Sequence, residues 1–187
     1  MGLVPSGRMT EADAPDPRSP SAARADSERT VQAWAARGVR ASIIRLAPSV
    51  HGAGDIGFVP QLIGIAWKKG VSAYVGDGRN RWPGVHRLDA ARLFRLALEQ
   101  GAAGARYHGV ADEGVPFREI AEVIGRRLGV PVAARTPAEA AGQFSWLAPF
   151  VAADNPASSQ QTRERLGWQP KQPGLIAHID RPDNFGT

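Results

Sequence analysis

The strongest constraint on the fold is an alternation along the chain. Short apolar, β-branched runs alternate with longer stretches of helical period, and glycine falls just past most of the helical stretches. Strands are expected at 41–46, where Ile43, Ile44 and Leu46 precede Pro48, at 72–75 and at 105–110. Helices are expected at 19–37, 58–69, 88–100, 117–129 and 158–166, with Gly38, Gly70, Gly129 and Gly167 as stops. Ser19 caps the first with Pro20 at its first turn, and Thr136-Pro137-Ala138-Glu139 spells a capping box. Ala90, Ala91, Phe94, Ala97 and Leu98 define the expected inward side of the 88–100 helix. The first 18 residues, rich in Pro and Asp, read as poorly structured, and the tail beyond Pro170 as loop. Strands alternating with helices imply an α/β fold with parallel pairing.

Composition narrows the function classes. The chain has 187 residues, is 43% hydrophobic and contains no cysteine, which excludes disulfide and thiolate chemistry. No apolar run approaches the ~20 residues of a membrane span, and the first residues lack the apolar stretch of a signal peptide. A cytoplasmic location, without membrane contact, is the expectation. Lys68, Lys69, Arg79, Arg81, Arg87, Arg92 and Arg95 face only Asp77 and Asp89 in this stretch, an excess equal to the whole-chain net charge of +5. Such a patch suits an anionic small molecule. Aromatic residues do not interleave with it, so nucleic acid is not expected as a partner.

Gly52-Ala53-Gly54-Asp55-Ile56-Gly57 has the spacing of a dinucleotide-binding turn, with Asp77 as the distal acid. Pro48-Ser49-Val50-His51 separates it from the strand, and Asp55 would set a carboxylate beside a pyrophosphate. Both details argue against that reading.

A different set of segments is more informative. Val75-Gly76-Asp77-Gly78 followed by Arg81-Trp82-Pro83-Gly84-Val85-His86-Arg87-Leu88-Asp89 resembles the Gly-Asp-Gly, Arg, Val-His, acidic-pair run of extended short-chain dehydrogenase/reductases. Arg45-Leu46-Ala47-Pro48-Ser49-Val50-His51-Gly52 resembles their Arg-Pro-x-x-Val-Tyr-Gly loop, Tyr107-His108-Gly109-Val110 their Tyr-Asn-Val-Gly strand, and Leu166-Gly167-Trp168-Gln169-Pro170 their terminal signature. In this order the segments cover about residues 20 to 170, and they are most similar to an atypical branch of the NAD-dependent epimerase/dehydratase type.

The resemblance implies the C-terminal part of a Rossmann-type parallel sheet with a small α+β substrate lobe. Residues 19–57 would belong to the NAD(P)-binding domain and 58–187 to the lobe with returning Rossmann elements. The cofactor, NAD or NADP, would be bound by the full-length protein, and a homodimer would be one way to cover core left exposed. The loop Pro48, Ser49, Val50 and His51 would lie against the nicotinamide. The family's Tyr-x-x-x-Lys pair aligns with Pro20 and Arg24, so the proton donor is replaced while Arg24 keeps a cation for the ribose. Arg79, Arg81, Trp82 and His86 are the implied substrate-side residues, His51 and His86 are the candidate acid/base groups, and Arg24 is the cation kept at the catalytic position. Trp34, Trp67, Trp146 and Trp168 are expected in packing positions. No His, Asp or Glu spacing suggests a metal.

Overall fold

A computed structural model describes residues 7–15 and 24–185. Helix α1 (Arg24–Ala36) leads to strand β1 (Ile43–Leu46), and β2 (Ser49–His51) follows directly. After α2 (Phe58–Lys69) come β3 (Ser72–Val75) and β4 (Arg81–His86), which runs into α3 (Arg87–Gln100). Strands β5 (Arg106–Gly109) and β6 (Asp112–Pro116) precede α4 (Phe117–Leu128), and β7 (Val132–Arg135) precedes α5 (Pro137–Phe144). Short helices α6 (Ala148–Val151), α7 (Gln160–Leu166) and α8 (Leu175–Ile179) complete the order.

The α/β expectation holds. Three small sheets form: β1 pairs in parallel with β5, β3 in parallel with β7, and β4 lies between parallel β2 and antiparallel β6. The helix starts and stops have local causes. Gly70, Gly129 and Gly167 end α2, α4 and α7 in the left-handed conformation, which glycine enters without the steric cost of a Cβ. Thr136 and Glu139 form the capping box, each satisfying the other's backbone N–H.

Among the described residues the buried apolar side chains gather into two cores. One gathers α2, α4, α5 and α8 around Trp82, Phe117, Ile120 and Leu147. Within it Trp82 meets Phe58 and Phe117 edge-to-face, at centroid distances of 5.1 Å each. The other joins α3, β5 and α7 through Val85, Leu93, Tyr107 and Trp168.

Several expectations change. The strands Ser49–His51, Arg81–His86, Asp112–Pro116 and Val132–Arg135 are too short or too rich in Gly, Pro and charge to show a period. The tail is not all loop: α8 inserts Leu175 and Ile179, both fully buried. Residues 7–15 dock: Met9 is buried and bridges Ala157, and Glu11 accepts from both the N–H and the hydroxyl of Thr162. Helix α3 buries Asp89, Ala90, Leu93 and Ala97 and leaves Phe94 and Leu98 exposed. It turns this way because the Asp89 carboxylate accepts the N–H groups of Lys171 and Gln172. Of the tryptophans expected in packing positions only Trp168 is buried; Trp34, Trp67 and Trp146 are exposed. The expected helix start at 19–23 lies outside the described residues.

Candidate functional site

Helix α1 and the whole length of β1, with Ala47 and Pro48 beyond it, line an open crevice of about 490 Å³. Arg24, Glu28, Arg45, Ala47, Pro48 and Pro15 are among its walls. Position follows from local structure. Parallel β1 carries Ile43 and Arg45 inward, and the chain turns at Ala47-Pro48 before β2.

Arg45 is fully committed within this wall. Its Nε and Nη2 each donate to a Glu28 carboxylate oxygen at 2.7 Å, and Nη1 donates to the Asp13 carbonyl at 2.8 Å. Arg106 adds a 3.2 Å contact to Glu28. Although burial opposes ionisation, these two guanidinium groups together hold the Glu28 carboxyl below its ordinary range. Arg24, in contrast, lies at the start of α1 with an exposed side chain.

Arg24 and Pro48 thus come together on one cavity, while the other residues singled out from the sequence go elsewhere. Ser49 and His51 are buried on β2, and Val50 is half-buried. Trp82 is not on a loop among charges: it is buried in β4, and its Nε1 donates to the Phe150 carbonyl at 3.2 Å. Arg81 forms a two-point pair with Asp154, at 3.0 and 2.7 Å, on the surface. Arg79 lies 3.6 Å from Asp77, also exposed. His86 accepts the Leu88 N–H on Nδ1 at 3.2 Å and so caps α3, the structural alternative for a histidine at a helix entrance.

Three histidines meet in the fold although no local sequence pattern links them. His51, His86 and His178 form a cluster, with ring centroids 5.4 Å apart for His51–His86, 5.0 Å for His51–His178 and 6.0 Å for His86–His178. Burial pushes His51 down to about 3, helped by the two neighbouring imidazoles. His86 and His178 are lowered for the same leading reason. Among the described residues no group of three His, Cys, Asp or Glu is arranged to hold a metal.

The dinucleotide-turn reading of 52–57 fails on geometry. The Asp55 Oδ1 accepts the Gly57 N–H at 2.6 Å, directly before α2, and thereby occupies the donor that a phosphate would need. A Cβ at Gly52 would lie 2.8 Å from Arg87 Cγ, so the Arg87 stem already covers that backbone. The 52–57 turn therefore does not offer a pyrophosphate site, while Arg24 and Pro48 share the crevice beside β1. The tyrosines offer no substitute acid: the Tyr107 hydroxyl accepts the Ala102 N–H at 3.0 Å, and Tyr74 lies under the Arg118 guanidinium. Pro20 lies outside the described residues.

Solved structures match along nearly the entire chain. The dTDP-glucose 4,6-dehydratase DesIV of Streptomyces venezuelae, solved with NAD, superposes with a TM-score of 0.72 over 95% of this chain and 55% of its own, at 24% identity. The chain has its fold. RMD of Pseudomonas aeruginosa, solved with NADPH, gives a TM-score of 0.69 over 95% of this chain and 59% of its own, at 17% identity. The architecture is accordingly the Rossmann-like one of nucleotide-dependent dehydratases. Curated relatives are nearer in sequence. An uncharacterized protein of Schizosaccharomyces pombe is 54% identical over 81% of this chain and 52% of its own length. An uncharacterized protein of Saccharomyces cerevisiae is 48% identical over 96% of this chain and 60% of its own. The chain spans about half the length of the curated relatives it matches. No protein-family model matches it. Among the described residues no helix is long and apolar enough to cross a membrane.

Proposed function

We propose that this chain is the C-terminal, substrate-lobe portion of an NAD(P)-dependent oxidoreductase or epimerase/dehydratase-like protein of the short-chain dehydrogenase/reductase type, acting on a small anionic substrate. The observation that carries this reading is the crevice between α1 and β1, with Arg24 and Pro48 on its walls. Bound NAD(P) would supply hydride transfer. Arg24 would hold a ribose hydroxyl or neutralise a phosphate, as a permanent cation can, and the backbone from Pro48 to His51 would fix the carboxamide. On the substrate side, Arg79, Arg81 and His86 remain the proposed anion contacts, with the patch from Lys68 to Arg95 attracting the ligand.

The same residues argue that the chain alone is inactive. Arg24 cannot act as a base, and His51 is held neutral by burial at any physiological pH. A second reading has a specific support: the aligned proton donor is Pro20, which fits a module that senses a nicotinamide nucleotide or metabolite without turning it over.

Thermal unfolding with and without NAD and NADP tests both. The isolated chain should unfold at an unchanged temperature with either nucleotide, whereas the longer Saccharomyces cerevisiae relative should be stabilised by one of them. A micromolar affinity of the isolated chain would refute its dependence on further residues. An unshifted transition in the longer relative would refute the cofactor reading itself. Turnover by that relative would remove the sensing alternative.

A further inference from the structure

We propose that His51, His86 and His178 form an acid-released latch, which holds the C-terminal segment around α8 against the β2–β4 seam while the rings are neutral and frees it when they take up protons. The three imidazoles come from three elements, β2, β4 and α8, and their centroids lie 5.0–6.0 Å apart. All three are buried, and among the described residues neither nitrogen of His51 nor Nδ1 of His178 has a hydrogen-bond partner. A proton added to either of these rings creates a buried cation with no acceptor, beside two further rings that resist the same charge.

The charged groups around the cluster cannot absorb that proton's charge. Arg87, whose stem covers Gly52, and Arg181 both oppose protonation of His86, and Arg181 opposes it at His178. Two carboxylates favour it, Asp89 at His86 and Asp55 at His178, but burial outweighs both and leaves the rings lowered. Asp55 accepts the Gly57 N–H, Asp89 accepts the N–H groups of Lys171 and Gln172, and Asp112 of β6 accepts the Leu175 N–H at 2.8 Å. From the α4 side, Arg126 and Arg127 both hold Asp180 at 2.9 and 2.7 Å. Electrostatic relief must therefore come from movement.

The element that moves is α8. Strands β2 and β4 are hydrogen-bonded to each other in register, His51 opposite His86, and β4 is bonded to β6 as well. Helix α8 has five residues, and it is tied down by Leu175 and Ile179 packing, by Asp112 and by Asn184, whose side chain donates to the His178 carbonyl. A short terminal element with few backbone ties opens at lower free energy than a laddered strand.

Amide hydrogen exchange of the full chain, followed by NMR between about pH 7 and about pH 4.5, tests this, with the histidine ring signals titrated in the same samples. After correction for intrinsic exchange, protection of Leu175–Ile179 should fall at least about tenfold as the first ring of the cluster protonates, while α4 amides keep theirs. In His51→Leu, or in His178→Gln if the first variant does not fold, the fall should move to lower pH. Retained α8 protection throughout, a loss shared equally with α4, or a fall at unchanged pH in the variant would each overturn the latch.

Discussion

His51 offers a stability effect that can be worked out before it is measured. In an unfolded chain its imidazole titrates near 6.5, and in the fold burial holds it at about 3. Between those values the unfolded state binds the extra proton, so stability rises with pH and is lost as pH falls below 6.5. From 6.5 down to pH 5 spans one and a half units, and at about 1.36 kcal/mol per unit His51 alone removes about 2 kcal/mol. That is a large fraction of the roughly 5–15 kcal/mol of a typical domain. His86, His178 and His108 are shifted in the same direction and deepen the loss. Glu28, Asp154 and Asp180 are lowered carboxylates, whose contributions fade only below their ordinary range and leave this window clear. Urea unfolding of the native chain and of His51→Leu at pH 7 and pH 5 isolates the effect. The native chain should lose at least about 2 kcal/mol across the interval, and the variant about 2 kcal/mol less than the native chain. Equal losses in the two proteins, within about 0.5 kcal/mol, would refute a buried, neutral His51.

Other substitutions separate buried from surface electrostatics and packing from propensity. Arg45→Met strands Glu28 beside Arg106 alone and should cost about 3–5 kcal/mol in denaturant unfolding. Arg81→Ala breaks a pair whose partners are almost half exposed, and should cost no more than about 1 kcal/mol by the same measurement. Gly125→Ala improves helix propensity within α4, yet its Cβ would lie 2.4 Å from Val132 Cγ2 and 3.1 Å from the Val130 carbonyl. It should therefore destabilise by about 1–3 kcal/mol, with part of the loss recovered when Val132→Ala is added, read by thermal unfolding of the two variants.

Helices with an unambiguous stop were legible in the sequence. The range Phe58–Lys69 is matched residue for residue, and the Thr136–Glu139 box forms as spelled. Strands β2, β4, β6 and β7 were not, because each draws its stability from a neighbour in the sheet and not from a local period: β4 holds Pro83 and Gly84, and β6 holds Gly114 and Pro116. The site was legible only in part. Arg24 and Pro48, 24 positions apart in sequence, line one crevice because α1 and β1 flank it. Trp82 follows exposed Arg81 but is buried with the rest of β4, a placement its charged neighbours in sequence do not disclose. The histidine cluster was invisible, since no local pattern links positions 51, 86 and 178.

The docking of residues 7–15 bears on the order in which this chain folds. Met9 exchanges backbone hydrogen bonds with Pro156 and Ser158, and Glu11 holds the first turn of α7, so both contacts close loops of nearly the full chain length. Closing such a loop is entropically unrewarding until its far end has a fixed shape. That far end rests on β6, where the Glu113 carbonyl accepts the Ala157 N–H, and on α7 against β5. Residues 7–15 are thus expected to find their place only after β6 and α7, a hundred or more positions further along the chain, have formed.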